Sequence, residues 1–323
     1  MNDSKIIKTI HRYQVGKKFF GVLAVLVPGG MLVYIMLVGS LPELQVTFSG
    51  IHFIIGAVVG IAIFIIGAKY VDKLQKKLKL FIGEYVTKGI IAEQIDIKEY
   101  DPNGCYKDKF LRQSGILPGF DKKRGSDYIK GFYKGQEVTY CDIELEVEYE
   151  TTDSDGHSSH ETSTVFKGPV ISLPLGKTLG DKRVRIMERR TKRRKKGFIS
   201  DLFKTAADSL GIKMKEQSIS LESEAFNNQF EVKTNDEELA FYILTPQFME
   251  NIVDADRLAD GRTNICFGGD YVIIAIYNNR DAFELEKTLR NKKQLEKTRE
   301  QMRGELREVL LIVDEILKKD KLF

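Results

Sequence analysis

Two of the chain's four histidines stand three residues apart in Asp153-Ser154-Asp155-Gly156-His157-Ser158-Ser159-His160-Glu161, among acids and hydroxyls. On a helix that spacing places two imidazoles on one face, where they could hold a metal ion. Here Gly156 and the serines make a polar turn between strands, and a metal site needs ligands held in one geometry. His157 and His160 are therefore the candidate metal ligands, and Asp155 the candidate acid beside them, in a segment that reads as a solvated hairpin loop. Serine and histidine in one loop do not make a catalytic triad without a spatial arrangement to match. No catalytic residue is assigned.

Other chemistry-bearing patterns are equally sparse. Gly29-Gly30 and Gly268-Gly269 lack the Gly-Lys-Ser/Thr or strand-GxGxxG-helix setting of a phosphate loop, so no nucleotide cofactor is expected. Cys105, Cys141 and Cys266 are scattered with no CxxC pair, which leaves neither a zinc site nor a redox motif. Reduced thiols are the default for a cytoplasmic domain.

The strongest electrostatic feature is Lys182–Lys196, with Lys182, Arg183, Arg185, Arg189, Arg190, Lys192, Arg193, Arg194, Lys195 and Lys196. Phe198, Ile199, Leu202, Phe203, Ala206, Ala207 and Leu210 follow on one apolar helical face. A basic cluster ahead of an amphipathic helix makes an anionic-lipid contact, worth roughly 1 kcal/mol per basic residue near the surface. The alternatives are a solvated loop, or one paired with the acidic strand face at Asp142 to Glu150. Nucleic acid is not the expected target, because no aromatic residue interleaves with the cluster and no reader fold surrounds it.

The elements that position these residues begin with two apolar runs, Phe19–Gly39 and Ile51–Ala68, neither carrying Asp, Glu, Lys or Arg. Each is near the ~20 residues a helix needs to cross a bilayer. Lysine and arginine gather before the first run (Lys5, Lys8, Arg12, Lys17, Lys18) and after the second (Lys69, Lys73, Lys76, Lys77, Lys79). Positive flanks stay inside, so both termini are expected in the cytoplasm and the Ser40–Gly50 turn outside. A cleaved signal peptide fits poorly, since Leu41-Pro42-Glu43 has no small-residue cleavage pattern. Gly56-Ala57-Val58-Val59-Gly60 has the small-residue spacing that lets helices approach, within the hairpin or between copies. With no acid or base inside either run, an ion or proton pathway is not expected.

Net charge is +4 over 323 residues, and some 250 remain after the hairpin, enough for a sizeable core. Val71, Leu74, Leu78, Phe81, Ile82 and Tyr85 recur at helical spacing, extending the second run until Asp101-Pro102-Asn103-Gly104 breaks it. Ser114–Gly125 reads as irregular. From Cys141 to Glu150 apolar and acidic residues alternate strictly, predicting a strand with one buried and one acidic face. Further strands are expected at Tyr128–Tyr133, Thr162–Phe166, Val170–Leu173, Ile219–Leu221, Gln229–Lys233, Asn264–Phe267 and Tyr271–Tyr277. Helices are expected at Asp236–Leu244, at Gln247–Leu258 behind Thr245-Pro246, and at about Asp281–Lys319. The last carries Met302, Leu306, Val309, Leu310, Val313, Ile316 and Leu317 on one stripe, fit for core docking or for a partner helix.

The expected layout is a cytoplasmic N-terminus (1–18), a transmembrane hairpin (19–68), a membrane-proximal helix (69–100), a cytosolic domain (101–280) and a charged amphipathic helix (281–323). The fold class is α+β, with a mostly antiparallel sheet and flanking helices.

Gly131-Phe132-Tyr133-Lys134-Gly135, Thr164-Val165-Phe166-Lys167-Gly168, Leu221–Phe226 through Phe230-Glu231-Val232, and Ala240–Pro246 with Met249 resemble a bacterial membrane-protein family known as domain of unknown function 3137. The resemblance spans roughly Tyr128 to Tyr277 and implies one or two membrane helices ahead of the domain. It carries no activity and no catalytic positions. It implies a membrane-anchored helical protein of the LemA type as a partner, and it makes Lys182–Lys196 an enlarged loop. Together these readings describe a multi-pass inner-membrane protein in contact with membrane lipids, acting as an interaction or scaffold module. The alternatives are a membrane-bound enzyme and an anionic-lipid sensor.

Overall fold

The computed structural model describes residues 1–39, 50–152, 158–189, 216–259, 261–285 and 288–318. The chain divides into two compact units: Met1–Val86 with Leu285–Thr298, and Thr87–Glu284 with Arg299–Phe323.

In the first unit both apolar runs are helical, as their length and composition predict, in α1 (Asp3–Gly39) and α2 (Gly50–Ile82). The two pack through small residues. A Cβ on Gly67 would lie 2.5 Å from the Ala24 Cβ, and one on Gly60 would lie 3.7 Å from that of Pro28. Gly60 of the small-residue spacing thus lies against α1 within the hairpin. Pro28 sits inside α1 without ending it, a situation apolar helices tolerate when neighbours fill the gap. Only 6% and 11% of the most apolar windows of the two helices are buried. Both are long and apolar enough to cross a membrane, and their side chains are not consumed by a protein core. The segment before the terminal helix joins α1, with the Leu289 amide donating to Gln14 Oε1 at 3.1 Å.

The helix entering the second unit ends earlier than expected. After a π-helical turn (Gly83–Thr87) and α3 (Lys88–Ala92), the chain becomes strand β1 (Asp96–Asp101). Residues 96–100 are thus strand, because β1 pairs antiparallel along β2 (Lys122–Tyr133). The stretch read as irregular contains the end of a short helix, α4 (Asp108–Ser114), closed by Gly115 at φ 66, and the start of β2.

The remaining strands are β3 (Gln136–Thr152), β4 (Ser158–Pro174), β5 (Arg183–Glu188), β6 (Gln217–Ile219), β7 (Phe230–Thr234), β8 (Arg262–Gly268) and β9 (Tyr271–Tyr277). Among the described residues they form a nine-stranded sheet in the order β1-β2-β3-β4-β9-β8-β5-β7-β6, antiparallel at every pairing. The two strands expected at Thr162–Phe166 and Val170–Leu173 are one. Gly168, at φ 148, allows that strand to run on where a Cβ would meet the Ile276 carbonyl oxygen at 2.1 Å.

Helices α5 (Glu224–Gln229), α6 (Glu237–Ile243) and α7 (Pro246–Leu258) lie between β6 and β8. α6 is capped as its acids predict, Asp236 accepting from the Leu239 amide at 2.8 Å. α7 starts on Pro246 after an extended Thr245. The terminal helix α8 (Lys292–Leu317) begins later than Asp281, and its stripe is core: Met302, Leu306, Val313 and Ile316 are all buried.

The alternation along β3 is half right. Cys141, Ile143, Leu145 and Val147 enter one core with Leu111, Ile116 and Phe120 from the α4 region. On the opposite face Glu148 and Glu150 are exposed, but Asp142 is 2% exposed and Glu146 9%. The 281–283 segment covers that face near Asp142, with Phe283 against the Tyr140 ring at 5.8 Å. An acid that alternation assigns to solvent is thereby buried.

Candidate functional site

Asp142 is joined by two more acids. Antiparallel pairing sets Ser126 of β2 opposite Asp142 of β3, and a bulge follows between Ser126 and Ile129. The extra residue lets Asp127 turn its backbone to φ 52, its amide donating to the Pro102 carbonyl at 3.2 Å. Asp281 arrives just after β9. Asp127, Asp142 and Asp281 each offer a carboxylate oxygen within 4.8 Å of the others.

Hydroxyls and amides orient the three groups. Tyr100 donates to Asp127 Oδ1 at 2.6 Å, Ser126 to Asp281 Oδ2 at 2.7 Å, and Tyr140 to Asp142 Oδ2 at 2.9 Å. The Ala282 amide reaches Asp142 Oδ2 at 3.3 Å, and that of Phe283 reaches Asp281 Oδ1 at 3.2 Å. Asp142 Oδ1 is buried and meets no donor among the described residues. Burial first, then the Asp281 and Asp127 charges, push the Asp142 pKa well above the ordinary carboxylate range. Burial raises Tyr100 and Tyr140 as well, with the neighbouring acids adding to it. The arrangement can hold a proton or a hard cation.

A second acidic pair lies between β5 and α7. Burial, then Asp256, raises Glu188 to about 7, and burial raises Asp256. Gln229 Nε2 donates to Asp256 Oδ2 at 2.6 Å, and the Thr263 amide to Glu188 Oε2 at 3.3 Å.

Among the described residues, those singled out in the sequence are not gathered into one site. His160 is exposed on β4, 3.7 Å from Glu150; His157 and Asp155 lie outside the described residues. The basic segment opens as a central strand, β5, because Val184 and Ile186 are wholly buried between β7 and β8. The solvated-loop reading is therefore wrong for residues 183–188. Lys182 pairs with Asp236 at 2.5 Å, and Arg185 with Glu216, neither partner belonging to β3. Arg183 is held by its backbone, the amide donating to Asn235 Oδ1 at 2.7 Å. Arg189 Nε donates to the Asn227 carbonyl at 2.8 Å. Arg190, Lys192, Arg193, Arg194, Lys195, Lys196, Phe198, Leu202 and Phe203 lie outside the described residues. Asp127 and Asp281 escaped the sequence reading. The one local signal for Asp127 is its break of alternation after Gly125-Ser126, and Asp281 looked like the start of a helix.

No curated protein matches the chain. It is similar to the crystal structure of the mycobacterial trehalose monomycolate transport factor A, TtfA, at 11% identity and a TM-score of 0.35. That match covers 70% of this chain and 95% of the other, and its score is too low to carry an argument about fold or function. Residues 164–318, from β4 through α8, match the family described as Protein of unknown function (DUF3137).

Proposed function

We propose that this protein is a membrane-anchored interaction module, held by α1 and α2 and presenting its α+β domain on the cytoplasmic side. The observation that carries the reading is the bare apolar surface of the two helices: Leu26, Met36, Ile54 and Ile66 are each about two-thirds exposed in the chain by itself. Such a surface in water costs ~25 cal/mol per Å², and lipid removes that cost. The lysine-rich flanks support the N-in, C-in orientation at a bacterial inner membrane. For partner binding the support is Phe241 and Tyr242 of α6, adjacent aromatic residues at 50% and 52% exposure. Aromatic side chains are enriched where proteins meet. The family resemblance makes a membrane-anchored helical protein of the LemA type the expected partner.

Two experiments test this. Alkaline carbonate should leave the full-length protein in the membrane pellet; release into the supernatant would end the anchoring claim. Crosslinking and capture from native membranes should yield a partner that the Phe241→Ala, Tyr242→Ala double variant loses. Capture unchanged by that variant would remove α6 as the contact. The lipid-sensing alternative has lost some of its charge, since Lys182, Arg185 and Arg189 make bonds within the domain. It now rests on Arg190 to Lys196, and vesicle flotation indifferent to salt and to anionic lipid would dismiss it.

A further inference from the structure

We infer that Asp127, Asp142 and Asp281 bind one hard divalent cation of calcium size, between β2, β3 and the 281–283 segment. This site is independent of the membrane and partner readings. Three carboxylates facing one another are not by themselves a site. The separate observation is Asp142 Oδ1, an acceptor on a side chain only 2% exposed that finds no donor among the described residues. Leaving a buried acceptor unmatched costs the desolvation of that group with nothing in return. Its other oxygen is already satisfied by Tyr140 and Ala282, so what is missing lies on the Oδ1 side alone.

The donor set and its spacing suit a hard cation. Calcium takes oxygen ligands at about 2.3–2.6 Å, so two of them can stand up to about 5 Å apart across the ion. Magnesium, at about 2.1 Å, allows little more than about 4 Å. The three oxygens lie within 4.8 Å of one another, close enough to converge on one hard cation with a small inward shift, and calcium's longer, more flexible bonds ask for less of that shift than magnesium's. The group contains no histidine or cysteine, and an all-oxygen set disfavours zinc and copper. Tyr100 and Ser126 donate to Asp127 and Asp281, as outer partners of metal ligands do. A bound ion would also fasten the 281–283 segment to the sheet.

The test uses the full-length protein in detergent, stripped with chelator and dialysed against calcium or magnesium chloride. Wild type should bind one calcium per chain by equilibrium dialysis, and its melting temperature should rise with calcium more than with magnesium. Asp142→Asn and Asp281→Asn should each weaken calcium binding about tenfold or more, since affinity follows ligand charge. Glu150→Gln, an exposed acid on the same strand, should leave it unchanged. If Asp142→Asn fails to fold, the half-buried Asp281→Asn decides. No bound calcium and no thermal shift in wild type would overturn the inference. So would calcium binding that both asparagine variants retain. An asparagine variant more stable than a calcium-indifferent wild type would assign the cluster to a shared proton instead.

Discussion

Glu188 shows how one half-buried acid makes the domain sensitive to pH. Its ordinary value is 4.5 and its folded value about 7, so in that window the folded chain holds a proton that the unfolded chain has released. Stability from this group is complete below the unfolded value and is lost as pH rises through about 7. Glu188→Gln keeps the neutral form at every pH. It should flatten that slope and add about 1 kcal/mol at mildly alkaline pH, after allowance for solvent screening, in urea unfolding across a pH series. An unchanged slope would assign the pH dependence to other groups. Arg185 is the opposite case, a charge whose partner must stay. It pairs with Glu216, the two side chains being 13% and 7% exposed, and also donates to the Gly115 carbonyl. Arg185→Met strands a buried carboxylate and should cost about 3–5 kcal/mol, much of it recovered by adding Glu216→Leu. A double variant as unstable as the single would mean that the lost packing, not the stranded charge, dominates.

At the scale of elements, the terminal helix carries the clearest expectation. Leu306 is 1% exposed and Glu308 lies on the solvent side of the same helix. Leu306→Ala should lower stability by about 2–5 kcal/mol, while Glu308→Ala stays within about 0.5 kcal/mol, in parallel denaturation curves. Equal effects would place the stripe of α8 against a partner rather than a core. Its spacing was legible because a helical period survives in the sequence whatever covers it. The destination was not, since an apolar stripe is the same for a core and for a coiled coil. β5 was illegible for the converse reason: Arg183 and Arg185 alternate with Val184 and Ile186. Local charge outweighed a short period-two pattern that only neighbours on both sides could confirm.

For the whole molecule, removing everything after Tyr277 is a test of folding before it is a test of binding. That truncation deletes Phe283, 3% exposed, together with the buried face of α8. The truncated protein should aggregate or lose cooperative melting by calorimetry, and a partner lost with it would say nothing about the helix as a contact. A cooperative transition near that of the full chain would show instead that the sheet stands without its terminal cover.

The sequence by itself determined the two apolar helices, the hairpin between β8 and β9, the capped start of α6, the proline start of α7, and the α+β class. Each is written in composition or in a local period: bilayer-length runs without charge, alternation across a pleat, an acid or proline at a helix start. Tertiary structure alone decided that Asp142 is buried, that Asp127 and Asp281 join it, and that the front of the basic segment is a central strand. The reason is physical. Which face of a strand meets water depends on what is laid over it, and the cover for β3 arrives from residues 281–283, well over a hundred positions away in the chain.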